Sequence, residues 1–242
     1  MNLAGTDSSM PATLRRAIIL AMTLVCFGVS RGASEASVRG NLFSAILCAE
    51  TPLGVAWARL RPLAQKRFPH LKLTQVADLH VTVVYVGPGW QPDSLDRLRP
   101  LALTGPSEPT VFQSEIVSLG AAQDVVAVEL HAPTPAWGRA VESAKAELNR
   151  LGLKRPDRYD ANFRPHLTLA QASHRPPDAT ETAELRAFRA WLQDEIARNR
   201  PPFTVTLGPD TPVRLLLAGL PRADGEPEYV ALEDFLRAAP KR

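Results

Sequence analysis

The chain has 242 residues, a mass of 26.4 kDa and a formal charge of +3, with 45% hydrophobic and 22% charged residues. These proportions exclude a disordered, collagen-like or disulfide-stapled chain, and the length fits one large or bilobal domain. Of the 28 basic residues 23 are Arg, but an excess of three charges over this length is too thin to mark a polyanion-binding surface.

Residues 1–36 read as an export signal. Arg15 and Arg16 precede an uncharged apolar run over residues 17–29, and the small residues Ser30, Gly32, Ala33, Ser34 and Ala36 follow. Cleavage is expected after Ala36 or after Gly32. The run is short for a membrane span, which needs about 20 apolar residues; an uncleaved N-terminal anchor is the alternative. The product is expected to be exported, periplasmic or secreted, with no stable membrane association once the signal is cleaved. Removing residues 1–36 lowers the charge to +2 and takes Cys26 away. Cys48 then has no intrachain partner, and its apolar surroundings in sequence make it a buried core thiol.

Residues 42–49 form a short apolar run suited to a buried strand. Thr51-Pro52 reads as an N-cap and first helical residue, followed by Leu53, Ala56, Leu60, Leu63 and Ala64 at helical spacing. Residues 79–86 are rich in β-branched side chains and are expected to form a strand that stops at Gly87-Pro88-Gly89. Asp93 caps a short predicted helix through Leu95, Leu98 and Leu101. Residues 110–119 and 124–131 read as a hairpin around 120–123. Trp137, Ala140, Val141, Ala144, Leu148 and Leu151 share one helical face, and Gly152 ends that helix. A loop over 154–164 leads into the strand 166–170. Leu185, Phe188, Leu192 and Ile196 mark another helix, and 203–207, 213–217 and 229–232 read as closing strands. Strands and helices mix without strict alternation, so the expected class is α+β with largely antiparallel sheets.

One pattern occurs twice. His80-Val81-Thr82-Val83 and His166-Leu167-Thr168-Leu169 share the form His-apolar-Thr-apolar, each inside a predicted strand. Side chains alternate along a strand, so each His and Thr share one face while the intervening apolar residues face a core. Two related halves about a pseudo-twofold axis would bring both pairs to one cleft. The other three histidines, His70, His131 and His174, are expected at the surface.

Two imidazoles at one centre suit phosphodiester cleavage. One takes a proton from the attacking oxygen while the other gives a proton to the leaving oxygen, and histidine titrates in the range where both are feasible. Two Thr hydroxyls can donate to non-bridging phosphoryl oxygens. A pair of His without nearby Cys or well-spaced carboxylates makes a poor zinc site.

On these residues the chain resembles the 2H phosphoesterases, in particular the RNA 2′,3′-cyclic phosphodiesterases, also called 2′-5′ RNA ligases. The resemblance covers most of residues 41–242: the opening strand 41–47, Leu79-His-Val-Thr-Val83 with Gly87, Phe163-Arg-Pro-His-Leu-Thr-Leu-Ala170, and the closing segment with residues 215–217, Tyr229 and Leu232. It implies a bilobal fold and no cofactor, catalytic roles for His80 and His166, and phosphate binding by Thr82 and Thr168. By analogy His80 is the acid and His166 the base. Many relatives carry Arg just after the second motif, where this chain has Gln171.

Candidate substrate contacts are Arg158, Tyr159 and Arg164 in the loop entering the second motif, and Tyr229, whose ring can stack on a base. The expected substrate is an RNA end carrying a 2′,3′-cyclic phosphate, or a small cyclic nucleotide, and not duplex DNA; the expected state is a monomer. Two other readings use the same cleft: a non-catalytic binder of nucleotides or RNA ends, and joining to a 2′-5′ linkage by the reverse transesterification.

Overall fold

The computed structural model describes residues 38–90, 103–131, 135–153, 164–199, 205–218 and 229–238. The expected export signal, the helix expected after Asp93, and Arg158 and Tyr159 lie outside the described residues. No helix among the described residues is long and apolar enough to cross a membrane.

The class is α+β, with two antiparallel sheets flanked by helices. In chain order the elements are β1 (Val38–Leu47), α1 (Pro52–Arg67), β2 (Leu71–Leu73), a single 3₁₀ turn (Val76–Asp78), β3 (His80–Trp90), β4 (Leu103–Thr104), β5 (Thr110–Leu119), β6 (Val125–His131), α2 (Ala136–Arg150), β7 (His166–Ala172), α3 (Ala179–Asn199), β8 (Val205–Leu207), β9 (Pro212–Ala218), β10 (Tyr229–Ala231) and α4 (Leu232–Ala238). One sheet has the order β10-β9-β1-β3, with β4 also paired to β9; the other has the order β2-β7-β6-β5-β8.

The halves expected from the sequence exchange elements. β9 and β10, from the end of the chain, complete the sheet begun by β1 and β3, while β2, from the beginning, edges the sheet built on β7. Between them β3 and β9 satisfy both edges of β1, which gives β1 its backbone partners on either side.

Local chemistry explains the elements. Thr51 caps α1, its Oγ1 accepting from the Gly54 N–H at 3.2 Å, and Pro52 stands at the first helical position. The buried stripe is Leu53, Ala56, Trp57, Leu60 and Ala64. Leu63 faces solvent, contrary to the expectation, because Trp57 fills the inner face and its Nε1 donates to the Thr74 carbonyl at 2.9 Å. Gly152, with φ +67°, terminates α2 as expected.

β3 continues past Gly87 to Trp90, where an end was expected at Gly87-Pro88-Gly89. Pro88 is tolerated because β3 is an edge strand, paired among the described residues with β1 alone. The expected strand over 229–232 stops at Ala231, and α4 begins at Leu232 with Glu233 and Asp234 in its first turn, where carboxylates favour a helix start.

One core runs through both sheets. Leu42, Ile46, Val81, Val83 and Val86 join Val126, Val128, Leu167 and Leu169, with Trp57, Phe112, Phe188 and Leu192 from the surrounding elements. Cys48 lies in this core, as expected.

Candidate functional site

His80 opens β3 and His166 opens β7. The two strands come within 8 Å of each other, Cα to Cα. In each case the ring Nδ1 lies 2.8 Å from the carbonyl oxygen two residues upstream, that of Asp78 for His80 and that of Arg164 for His166. A carbonyl only accepts, so Nδ1 holds the proton and donates. In the neutral ring Nε2 is then the basic nitrogen, and the ring is oriented by its own backbone.

The repetition extends along both strands. The residue before each His accepts a hydrogen bond from the neighbouring strand's side, Leu79 O from Cys48 N–H at 2.7 Å and Pro165 O from Leu130 N–H at 2.8 Å. Thr82 stands opposite Ala45, and Thr168 opposite Ala127, so a small side chain flanks each hydroxyl. A one-residue bulge follows each Thr: Ser44 pairs with Val84 and Val126 with Ala170, leaving Val83 and Leu169 as the extra residues. Both extra residues are buried, and so are Val84 and Ala170.

The bulge shifts the alternation by one position. The accessible face therefore reads His80, Thr82, Tyr85 on β3 and His166, Thr168, Gln171 on β7, each half-buried. Simple alternation from the motifs would have put Val84 and Ala170 there, so Tyr85 and Gln171 escape a reading by period alone.

The two rows differ in surroundings. Phe43, opposite Tyr85, lies 5.1 Å from the His80 ring centroid, and Tyr229 meets His80 edge-on at 4.6 Å and 72°. Phe43 and Tyr229 are themselves perpendicular at 5.5 Å. With Ala45, Leu216, Ala218 and Ala231 they form a small apolar cluster separate from the main core. The candidate Tyr229 is thus brought to His80. Its backbone N–H donates to Oδ1 of the buried Asp78 at 3.2 Å, while the Asp78 carbonyl holds the His80 ring.

The β7 row is polar. Glu129, buried in β6, stands opposite His166. Both its oxygens are engaged by Arg164, Nε at 2.5 Å and Nη2 on the second oxygen. The candidate Arg164 therefore spends its guanidinium on Glu129 and its carbonyl on His166. Glu129 gave no signal in the sequence beyond being one acidic residue in an apolar strand.

The remaining histidines lie at the surface as expected. His70 pairs with Glu184 at 2.6 Å, which raises its pKa above the usual imidazole range, and His131 sits beside Glu115 at 3.6 Å. His174, Asp178 and Glu181 have ligand atoms within 4.8 Å of one another, the one such group among the described residues. Its donors are spoken for. Glu181 Oε1 accepts from the N–H groups of Ser173 (2.7 Å) and His174 (3.3 Å), and Oε2 from that of Asp178 (3.2 Å). The Glu181 N–H returns a bond to Asp178 Oδ1 at 2.8 Å. This is a reciprocal cap on α3. Burial alone would raise the Glu181 carboxyl; the surrounding N–H donors outweigh it and hold the group below its ordinary range.

No family model matches the chain, and no curated protein matches it. Among solved structures the chain is similar to a phosphoesterase at 17% identity and a TM-score of 0.48, covering 79% of this chain and 95% of that one. It is similar to E. coli LigT complexed with 3′-AMP at 15% identity and 0.47, covering 79% and 94%. It is also similar to TT0787 of Thermus thermophilus at 22% identity and 0.47, again covering 79% and 94%.

Proposed function

We propose that the protein is a phosphodiesterase that opens 2′,3′-cyclic phosphates, at RNA ends or on small nucleotides, to 2′-phosphomonoesters by two-histidine acid–base catalysis without a metal. The observation that carries this reading is the doubled geometry: two imidazoles, each fixed through Nδ1 to the carbonyl two residues upstream at 2.8 Å, each followed by a Thr on the same face. A single anchored His is common in strands. Two with the same anchor, the same hydroxyl and the same bulge make a matched pair.

In this reading the two rows face a common phosphate. A water attacks phosphorus as the basic Nε2 of one ring takes its proton. The bond from phosphorus to the 3′ oxygen breaks as the other ring, protonated, donates from Nε2 to that oxygen. Thr82 and Thr168 donate to the non-bridging oxygens as charge grows there. The rings end in exchanged protonation states, and solvent restores them.

The purified protein is assayed on nucleoside 2′,3′-cyclic phosphates in the presence of a chelator, with the product isomer identified. Turnover to the 2′-phosphomonoester supports the reading; turnover that requires an added divalent ion contradicts it. The export segment read in residues 1–36 puts the enzyme outside the cytoplasm in this proposal, and fractionation of expressing cells tests that part.

A further inference from the structure

α1 buries one stripe, Leu53, Ala56, Trp57, Leu60 and Ala64, and leaves the opposite side to solvent. On that outer side Pro52, Val55, Arg59, Pro62, Leu63 and Lys66 recur at helical spacing, and all six are exposed. The stripe runs about 21 Å along the axis at 1.5 Å per residue. Four large apolar side chains are exposed among the described residues, and two of them, Val55 at 47% and Leu63 at 56%, stand here. The charge on this face is not offset. α1 has no acidic residue, whereas α2, α3 and α4 each carry carboxylates that pair with their own basic residues. Among the described residues Arg59, Lys66 and Arg67 have no carboxylate partner. Arg67 lies over the Phe68 ring at 5.7 Å, which leaves its charge in place. Arg61, on the inner side, gives its Nε to the Thr74 carbonyl at 3.1 Å. Of the acidic residues that bracket the helix, Glu50 lies nine residues before Arg59, and Glu184 is held by His70 at 2.6 Å.

We propose that the outer face of α1 is a docking surface for an anionic lipid bilayer, on which the protein rests reversibly. Three unpaired cations on one helix meet headgroup phosphates by charge. The apolar side chains between them call for more than charge: Val55 and Leu63 leave water only against a partner with apolar depth, which the boundary between headgroups and acyl chains supplies and a nucleic-acid backbone does not. The aliphatic stems of Arg59 and Lys66 can lie along the same apolar surface while their heads reach the phosphates. A second feature aims the chain at a membrane. The uncharged apolar run over residues 17–29 leads it into or across a bilayer, whether that segment is cleaved or kept. A single weak signal holds a protein to a bilayer only marginally. The face of α1 alone therefore gives a salt-sensitive, reversible contact, in keeping with the expectation of no stable association once the leader is removed. The inference does not depend on the phosphodiesterase reading; where both hold, the activity is delivered to a lipid surface.

The test is partition of the full chain onto extruded vesicles, read by sedimentation, for phosphatidylcholine alone and for equal parts phosphatidylcholine and phosphatidylglycerol. The anionic-to-neutral ratio cancels what residues 17–29 contribute by apolar insertion. It is compared in the wild type, in Arg59→Gln combined with Lys66→Gln, and in Arg139→Gln combined with Lys145→Gln. The last removes the same charge from α2, where those residues face Glu108 and Glu142. All four positions are exposed and Gln is a good helix former, so the fold is kept. A basic residue at an anionic surface is worth about fivefold in partition. The ratio is therefore expected to fall about twenty-five-fold in the α1 variant and to hold within about twofold in the α2 variant. The wild-type preference for anionic vesicles is expected to fade at high salt. An unchanged ratio in the α1 variant, or an equal fall in both variants, overturns the docking surface. A wild type with no preference for anionic vesicles overturns it too; if its binding of a single-stranded oligonucleotide then falls in the α1 variant, the face belongs to nucleic acid and not to lipid.

Discussion

The backbone N–H of Tyr229 donates to Oδ1 of Asp78 at 3.2 Å, across 151 residues of chain. Asp78 is buried, and its carbonyl is the group that holds the His80 ring. One residue therefore ties the last strand to the turn that aims the first imidazole. Removing its carboxylate leaves a main-chain donor without its acceptor, and truncation of this kind costs about 1–3 kcal/mol. Asp78→Ala is expected to lower stability by that amount in denaturant unfolding and to lower kcat through a less constrained His80. Asp78→Asn, which keeps an acceptor oxygen in place, is expected to restore most of both. Equal losses in Ala and Asn would show that charge, not the hydrogen bond, matters.

Arg164 acts on the second imidazole in a parallel way. Its guanidinium spans both oxygens of Glu129, and its carbonyl takes the Nδ1–H of His166. A lysine carries the charge but cannot span two oxygens. Arg164→Lys is expected to reduce kcat about tenfold, on the scale of misplacing one acid–base group, with little change in KM. A change in KM alone would instead make Arg164 a substrate contact, the role the sequence suggested for it.

Gly54 lies in the first turn of α1, where a Cβ would run into the carbonyl oxygens of Cys48 and Ala49. Both are backbone atoms with no freedom to step aside. Although Ala is the better helix former, Gly54→Ala is expected to destabilise the fold by about 1–3 kcal/mol through this overpacking. A thermal melt at neutral pH measures it; a rise in Tm would contradict the close approach.

Burial pushes the Cys48 thiol up to about 12, with a hydrogen bond from the backbone of Val81 opposing only weakly. At pH 8 the thiolate is then on the order of one part in ten thousand, so the nucleophilic form is nearly absent. In a Cys26→Ser background, Cys48 is expected to resist a thiol-specific reagent in the native state and to react at once in guanidinium. Rapid native labelling would place Cys48 at the surface.

The hydrogen bond that His70 donates to Glu184, and then the charge of Glu184, raise the pKa of His70. A raised folded pKa gives stability that is full below the ordinary imidazole value and fades as pH rises through the folded value. His70→Gln is therefore expected to lower Tm at pH 5.5 and to leave it unchanged at pH 9. A penalty of equal size at both pH values would point to packing in place of the ion pair.

Much of the site was legible because it depends on short-range alternation. His80 and Thr82, like His166 and Thr168, share a face for reasons contained in three consecutive residues. The next step along each strand was not legible. The bulges at Val83 and Leu169 arise from pairing with β1 and β6, so the sequence around them says nothing of the shift that moves Tyr85 and Gln171 onto the accessible face. β2 was hidden for a related reason: Leu-Lys-Leu is too short to announce a strand, and it becomes one by pairing with β7, about a hundred residues away. The exchange of β2 and β9 between the sheets is likewise a matter of which edges need partners. Local signals did mark the Thr51 cap and the Gly152 stop, whose causes lie within a few residues.

The central claim is that two anchored imidazoles do acid and base work on one phosphate. The most direct measurement is kcat/KM on a nucleoside 2′,3′-cyclic phosphate, with chelator, across pH 5 to 9 for the wild type, His80→Ala and His166→Ala. A bell-shaped profile is expected in the wild type, with each substitution costing at least about a hundredfold, the lower end for loss of a general acid or base. Activity retained in either variant within a factor of a few would contradict the two-histidine mechanism.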